Sequence, residues 1–196
     1  MSDFGIIGIG RIGTSMARNM SSKGIIVSLF DKSHNSLDNL KNDYPELESS
    51  LVFDDINKFI SSISKPRKVL VLVPSGPAID KVISLLIQYL DSNDILIDGG
   101  NTNPNVSFEN HQTIKSKNLL YLGMGVSGGV KGVLEGPSIM IGGDTNAFDQ
   151  VKNIFSQITS KTINGSKSFE FFGDSNQGHF VKMIHNGIEY VEMQLI

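Results

Sequence analysis

Cysteine is absent from the 196-residue sequence, which excludes disulfide bonds and metal sites built on thiolates. No run approaches the roughly 18 consecutive apolar residues of a transmembrane helix, and the N-terminus lacks the pattern of a secretory signal. Basic runs are absent too, and the formal net charge is −3. We therefore expect a cytoplasmic protein with no nucleic-acid or membrane partner. No His, Asp or Glu cluster has metal-ligand spacing, so no metal site is predicted.

Short apolar segments alternate with helical patterns along the chain. The predicted strands are 4–7, 25–30, 69–73, 95–97, 119–124, 139–142 and 169–172, and the predicted helices between them are 14–23, 77–89, 104–117 and 145–158. This alternation is typical of an α/β fold with a doubly wound, mainly parallel sheet of Rossmann type. We expect it to form one domain over residues 1–174. Ser75, Asn103 and Asp144 are placed to be helix N-caps.

The last 22 residues, 175–196, have a helical pattern with apolar side chains on much of the circumference. Nothing caps the helix at Ile196, so we expect these residues to be the first part of a longer helix. Five polar residues share one helical face: Lys182, His185, Asn186, Glu189 and Tyr190. An amine and a carboxyl ~10.5 Å apart along that axis suit the two sides of a bound metabolite, with a solvated polar stripe as the alternative.

The first glycine cluster has the spacing of a dinucleotide-binding loop. It follows a predicted strand and opens a predicted helix, and its residues are Gly8, Ile9, Gly10, Arg11, Ile12 and Gly13. The glycines allow a tight turn and close approach of the backbone to a pyrophosphate. The helix N-terminus then offers N–H groups to the phosphates. A glycine-rich turn without a ligand is the alternative.

Asp31 stands 18 residues after Gly13, near the acidic position of such sites. A carboxylate there accepts hydrogen bonds from the ribose hydroxyls and repels a 2′-phosphate, which favours NAD over NADP. Lys32 and Ser33 follow directly and suit a phosphate, so the cofactor prediction is NAD or NADP, with NAD favoured by Asp31.

Two further segments predict a substrate site at the carboxyl ends of strands. Asn101 ends the segment Asp98-Gly99-Gly100-Asn101, which places it near the nicotinamide. A glycine-rich loop over 123–129 ends in Ser127, Gly128 and Gly129, whose N–H groups and hydroxyl would form a cradle for an anion or a hydroxyl group. A plain turn and a flexible loop are the alternatives.

The remaining histidines carry less information. His34 and His111 lie in helical patterns with polar neighbours, so we expect both at the surface. His179 is placed either to contact the cofactor or to cap the start of the last helix.

The sequence resembles the 6-phosphogluconate dehydrogenase family. The segments that carry the resemblance are Gly178 to Tyr190 with Met193-Gln194, Asp98 to Asn101, Gly123 to Gly129, and Gly136-Pro137-Ser138. The resemblance covers the chain but only the N-terminal part of the family, and it implies that the last helix leads into an all-helical domain that is absent here. It implies oxidative decarboxylation of 6-phosphogluconate to ribulose 5-phosphate in the pentose phosphate pathway, with hydride transfer to NAD(P), and a homodimer for a full-length form.

The resemblance also implies roles for individual residues. Lys182 would be the base that takes the 3-hydroxyl proton, and Glu189 the acid that protonates the enediol after carbon dioxide leaves. The substrate would contact Asn101, Ser127, Gly128, Gly129, His185, Asn186 and Tyr190. The cofactor would contact the glycine loop, Asp31 to Ser33, Val73, Pro74, Ser75 and Asn101.

Three cofactor segments depart from the common family pattern. The loop reads Gly-Ile-Gly-Arg-Ile-Gly rather than Gly-Leu-Ala-Val-Met-Gly, Asp31-Lys32-Ser33 replaces Asn-Arg-Thr, and Pro74 stands where a lysine is common. These differences resemble the NAD-preferring branch. Two other functions stay open: a related 3-hydroxyacid or semialdehyde dehydrogenase, and a catalytically inactive NAD(P)-binding module. For these 196 residues alone we expect nucleotide binding with little or no turnover.

Overall fold

The computed structural model describes residues 1–33, 37 and 40–196. Within these residues the chain forms one eight-stranded sheet with helices packed on both faces. The strands are β1 Phe4–Ile7, β2 Val27–Phe30, β3 Leu51–Phe53, β4 Lys68–Val71, β5 Ile95–Asp98, β6 Leu120–Ser127, β7 Ser138–Gly143 and β8 Phe169–Phe171. The helices are α1 Arg11–Ser22, α2 Leu40–Asp43, α3 Ile56–Ser61, α4 Pro77–Leu86, α5 Pro104–Lys115, α6 Gly129–Glu135, α7 Thr145–Ile158 and α8 Gln177–Gln194, with a 3₁₀ turn at Pro45–Leu47.

The strand order is β3-β2-β1-β4-β5-β6-β7-β8. Neighbouring strands are parallel except for the β6–β7 pair, which is antiparallel. The first six strands in this order have the Rossmann arrangement, which confirms the predicted fold class. The order reverses between β1 and β4, and in such sheets ligands bind beyond the carboxyl ends of the strands at that point.

Each face of the sheet carries its own apolar core. Met16 of α1 and Phe155 of α7 are fully buried on one face. Phe59 of α3 and Ile79 of α4 are fully buried on the other. The central strands are buried on both faces, which explains why they are continuously apolar in sequence.

The first turns of α8 pack against β6 and β7, and its later part faces solvent. Gly178, His179 and Lys182 are its buried residues. The apolar side chains of the later turns are exposed, including Ile188 and Val191. None of the helices described is both long and apolar enough to cross a membrane.

Some local elements were missed, and others differ from their prediction. The strand at Leu51–Phe53 and helix α3 were not predicted. The segment over 123–127 is not a loop, because β6 continues through it to Ser127. The N-cap of α4 is Gly76 rather than Ser75, and Asp144 occupies the N-cap position of α7 without a capping hydrogen bond from its side chain. The Asn103 cap is confirmed, because its side chain accepts the Asn105 N–H.

Candidate active site

A cleft of about 1220 Å³ opens at the carboxyl edge of the sheet, beside the point where the strand order reverses. The glycine loop, the segments after β4 and β5, the end of β6 and one face of α8 enclose it. Predicted site residues that line it are Gly10, Arg11, Ile12, Gly13, Val73, Pro74, Ser75, Asn101, Ser127, Gly128, Gly129, Lys182, His185, Asn186, Glu189 and Tyr190. Sequence reasoning missed its apolar wall, which includes Leu72, Val126, Val133 and Ile188.

The glycine loop has the geometry that a pyrophosphate requires. Gly8 has φ +93° and its backbone crosses that of Leu72 so closely that a Cβ would lie 2.4 Å from the Leu72 carbonyl oxygen. A Cβ on Gly13 would lie 1.9 Å from the Gly8 carbonyl oxygen, whereas one on Gly10 would meet open space. Gly8 and Gly13 therefore serve the turn and its packing, and Gly10 presents bare backbone at the N-terminus of α1. A dinucleotide phosphate fits there.

Asp31 is hydrogen-bonded to this loop and does not line the cleft. Its Oδ2 accepts the Ile9 N–H at 2.8 Å, and its Oδ1 accepts the Ser33 N–H at 2.8 Å. Ile9 itself is buried in the core. Each carboxylate oxygen has further acceptor capacity, so the predicted contact with ribose hydroxyls remains compatible with this geometry.

Lys32 lies outside the main cleft. It lines a second cavity of about 460 Å³ between the end of β2 and α4, together with Asp80, Lys81, Ser84, Leu85 and Gln88. Five of the predicted cofactor residues therefore do not line the main cleft: Gly8, Ile9, Asp31, Lys32 and Ser33.

Asn101 reaches the cleft from a turn that a buried carboxylate supports. Asp98 is fully buried at the end of β5, and its Oδ1 accepts the Gly100 N–H at 3.0 Å. The Gly99 N–H donates to the carbonyl oxygen of Val71 at 2.9 Å, which ties the turn to β4. Asn101 is exposed at the tip of this turn, where its amide is free to meet a ligand.

The predicted glycine cradle is only partly correct. Gly123 and Gly125 lie within β6 and make room for α8, because a Cβ on Gly125 would lie 2.4 Å from Cβ of Lys182. Gly128 and Gly129 have positive φ and begin α6. The part of the segment that lines the cleft is therefore Val126 to Gly129, and Gly125 packs against Lys182.

Lys182 is the buried amine of the cleft. The residue is 9% exposed, and its Nζ donates a 2.6 Å hydrogen bond to Oδ1 of Asn186. Burial lowers the pKa of Lys182, and the charge of Glu189 opposes this only in part. A lowered pKa makes the neutral amine more available near neutral pH, which a general base requires.

The rest of the polar face of α8 is more open. His185 and Glu189 lie 3.6 Å apart from Nδ1 to Oε2, with side chains 41% and 54% exposed. Tyr190 is also exposed. All five residues of this face line the cleft, as the helical spacing predicts, and the later ones remain accessible to a substrate.

Two of the other histidines differ from their predictions, and His34 lies outside the described residues. His111 is not a free surface group: it lies 3.2 Å from the Asp144 carboxylate and stacks on Tyr121. His179 is 2% exposed and does not line the cleft, and the N-cap of α8 is Asn176. Burial lowers the pKa of His179, with the charge of Asp98 opposing this shift, which favours the neutral ring.

In the part of the chain that the structure describes, no group of three or more His, Asp or Glu side chains is arranged to hold a metal ion.

Comparison with known proteins identifies a family. Residues 3–166 match the family model described as the NAD binding domain of 6-phosphogluconate dehydrogenase. Residues 178–196 match the model of the C-terminal domain of 6-phosphogluconate dehydrogenase.

Two relatives extend this finding. The decarboxylating 6-phosphogluconate dehydrogenase of Staphylococcus epidermidis is 40% identical over 192 residues, which are 98% of this chain and 41% of that protein. The Plasmodium falciparum 6-phosphogluconate dehydrogenase, solved in apo form and with NADP⁺ and 6-phosphogluconate, superposes with a TM-score of 0.93 at 35% identity, again over 98% of this chain and 41% of that one. The chain thus spans about two fifths of the length of these relatives.

A second solved structure shares only the fold. The Mycobacterium tuberculosis 3-hydroxyisobutyrate dehydrogenase with L-serine has a TM-score of 0.81 at 19% identity, covering 96% of this chain and 60% of that one.

Proposed function

Since the chain belongs to the 6-phosphogluconate dehydrogenase family through its NAD-binding domain, we propose that it supplies the nucleotide site and the proton-transfer groups for the oxidative decarboxylation of 6-phosphogluconate to ribulose 5-phosphate. The observation that carries the proposal is the buried amine of Lys182, whose pKa is lowered, in the same cleft as the bare backbone of Gly10. A base and a phosphate-binding loop in one cleft suit an alcohol oxidation that uses a dinucleotide.

Lys182 begins the chemistry in this proposal. Its neutral amine takes the proton of the substrate 3-hydroxyl, and Asn186, held at 2.6 Å, fixes the direction of the amine. The nicotinamide, when bound, accepts the hydride. The resulting 3-keto acid loses its carboxylate readily because the ketone accepts the electrons, and protonated Lys182 stabilises the developing enolate oxygen.

Glu189 completes the proton balance from the other end of the helical face. In its acid form it donates a proton to the enediol carbon after carbon dioxide has left. It lies two turns beyond Lys182 on α8 and is half exposed, so it can exchange protons with solvent between turnovers. Asn101 and Ser127 to Gly129 line the same cleft as Lys182, which supports a role for them in holding the substrate hydroxyls and carboxylate.

The nucleotide in this proposal is NAD or NADP, with NAD favoured. The carboxylate of Asp31 at the end of β2 supports NAD, while Lys32 and Lys81 beside the second cavity offer positive charge to a phosphate. We further propose a cytoplasmic homodimer for a full-length form and a boundary at residues 174 and 175 between the nucleotide domain and the helix that leads onward.

A substrate panel tests the proposal. The chain completed with the remainder of the staphylococcal relative is assayed with 6-phosphogluconate labelled at C1 and with 3-hydroxyisobutyrate, using NAD and NADP. We expect equal amounts of labelled carbon dioxide and reduced nucleotide from 6-phosphogluconate alone. Reduction of nucleotide without carbon dioxide, or only with 3-hydroxyisobutyrate, would assign a related hydroxyacid dehydrogenase. Nucleotide binding without any turnover would assign an inactive binding module.

A further inference from the structure

Behind the cleft wall, a buried polar chain runs from the turn that carries Asn101 to the start of the helix that carries Lys182. Asp98, Ser107 and Tyr121 are each fully buried and Ser175 is 2% exposed. None of the four lines the cleft. Buried polar groups far from solvent need a structural or functional reason, because each costs free energy unless it is hydrogen-bonded.

Each residue of this buried polar chain contacts the next one through a polar atom. Asp98 accepts the Gly100 N–H at its Oδ1 and the Tyr121 hydroxyl at its Oδ2, at 3.0 and 3.4 Å. Oγ of Ser107 donates to the Ser175 carbonyl oxygen at 3.0 Å, so the Tyr121 hydroxyl, 3.0 Å from that Oγ, shares its one proton between Ser107 and Asp98. Ser175 precedes α8 by two residues. The hydroxyls of Tyr121 and Ser107 therefore connect the Asn101 turn to the residue that leads into α8.

The position of Tyr121 is itself fixed from the other side. Its ring stacks on His111, with centroids 5.5 Å apart, and its N–H donates to the Asp144 carboxylate at 2.8 Å. Burial, and then the charge of Asp98, raise the pKa of Tyr121 well above its usual range. This shift favours the protonated hydroxyl, which can donate a hydrogen bond.

β6 connects this chain to Lys182 by close packing. A Cβ on Gly123 would lie 2.5 Å from the Ser175 carbonyl oxygen and 2.8 Å from Oγ of Ser107, and Gly125 makes the same kind of approach to Lys182. A displacement at the start of α8 would therefore be transmitted to Lys182, because neither contact has spare room.

We propose that Tyr121 is a positioning residue whose hydroxyl ties the Asn101 turn to α8 and so fixes Asn101 and Lys182 relative to each other across the cleft. The catalytic meaning of this separation rests on the proposed function, but the tie itself is a property of the folded chain. A positional error of ~1 Å between reacting groups can cost ~10²-fold in rate, which gives such a tie its value.

The test uses Tyr121→Phe, which removes only the hydroxyl, and measures both ends of the tie without nucleotide or substrate. Hydrogen exchange of the peptide containing Gly100 reports on the turn. The pH midpoint for acetylation of Lys182, read by peptide mass spectrometry, reports on the amine. We expect exchange about tenfold faster in the turn and a midpoint higher by about half a pH unit, because a loosened helix start admits water to Lys182.

Two further variants separate a tie from general destabilisation. Ser107→Ala breaks the same chain at its next link, so it should change both measurements in the same directions. Phe155→Leu removes volume from the opposite face of the sheet, and it should change neither. The proposal is overturned if Tyr121→Phe leaves both measurements unchanged, if it changes only one of them, or if Phe155→Leu reproduces its effects. Because neither measurement involves turnover, an inactive protein with an intact tie would count against the proposed function alone.

Discussion

Lys182 and Asn186 are joined by a 2.6 Å hydrogen bond from Nζ to Oδ1, one turn apart on α8. The pair lies where the helix leaves the sheet: Lys182 is buried against Gly125, and residues beyond Asn186 face the open cleft. The amine is thus desolvated by the protein and aimed by its own helix, which gives it both the pKa and the direction that a base needs.

Replacing Lys182, the proposed base, should lower the rate of the reaction and leave the affinity for nucleotide unchanged. In the completed chain, Lys182→Met is expected to lower kcat by about 10³-fold or more, because general-base catalysis contributes ~10²–10⁴-fold. NAD affinity should change little, since the glycine loop is a separate segment. Calorimetry and a steady-state assay measure the two effects, with Lys131→Met as the exposed control. Loss of nucleotide binding in a folded Lys182→Met variant would place the lysine in the cofactor site instead.

Asp31 should set the preference between the two nucleotides. The native chain is expected to bind NAD more tightly than NADP by about fivefold or more, as ~1 kcal/mol of repulsion between like charges in water implies. Asp31→Asn should narrow that ratio by removing the charge. The amide also has one acceptor oxygen fewer for Ile9 and Ser33, so both affinities should fall and only their ratio is diagnostic. Equal or tighter NADP binding by the native chain would mean that Lys32 and its neighbours outweigh the carboxylate.

The 196-residue chain alone should bind nucleotide but oxidise 6-phosphogluconate poorly. The substrate carries about −3 charges near neutral pH, and among the residues described as lining the cleft the basic side chains are Arg11, Lys182 and His185. Lys182 must be neutral to act, and Arg11 belongs to the nucleotide loop. We expect turnover below ~1% of a typical ~10 s⁻¹ in a steady-state assay. Turnover at the typical rate would require a phosphate site elsewhere in the chain.

A buried ion pair at the amino ends of β4 and β5 should contribute to the free energy of unfolding. Asp94, almost fully buried, accepts hydrogen bonds from the Arg67 backbone and from its Nη1 at 2.6 and 2.7 Å. Asp94→Ala should cost about 3 kcal/mol in urea unfolding, because it leaves a largely buried guanidinium with the exposed Asp91 as its remaining carboxylate partner. Asp91→Ala removes an exposed partner of the same arginine and should cost far less. Equal effects of the two variants would contradict the role of burial.

The predictable parts of the fold are those in which short-range pattern and long-range packing agree. Strands buried on both faces, such as Phe4–Ile7, are continuously apolar and were predicted at their observed bounds. The edge strand Leu51–Phe53 is short and only partly buried, so its three residues give little pattern.

The glycines of β6 show why the remainder of the site was not predictable. Gly123 and Gly125 suggest a loop when only their neighbours in sequence are considered. They lie in a strand, and they are glycines because α8, more than 50 residues later, packs too closely for a side chain. The contact between Tyr121 and Asp144 also depends on packing between segments that are distant in sequence. Asp144 was expected to cap a helix, whereas its carboxylate accepts the Tyr121 N–H and pairs with His111.

The most direct test of the account is the pKa of the Lys182 amine in the native chain. Reductive methylation with ¹³C and NMR titration resolves the lysines, and Lys182→Arg assigns the signal. Lys182 should titrate clearly below the ordinary pKa of a lysine, because burial disfavours the charged amine. The rate of oxidation should then rise with pH through that same pKa. A Lys182 signal that titrates at or above the ordinary lysine pKa would contradict the assignment of Lys182 as the base.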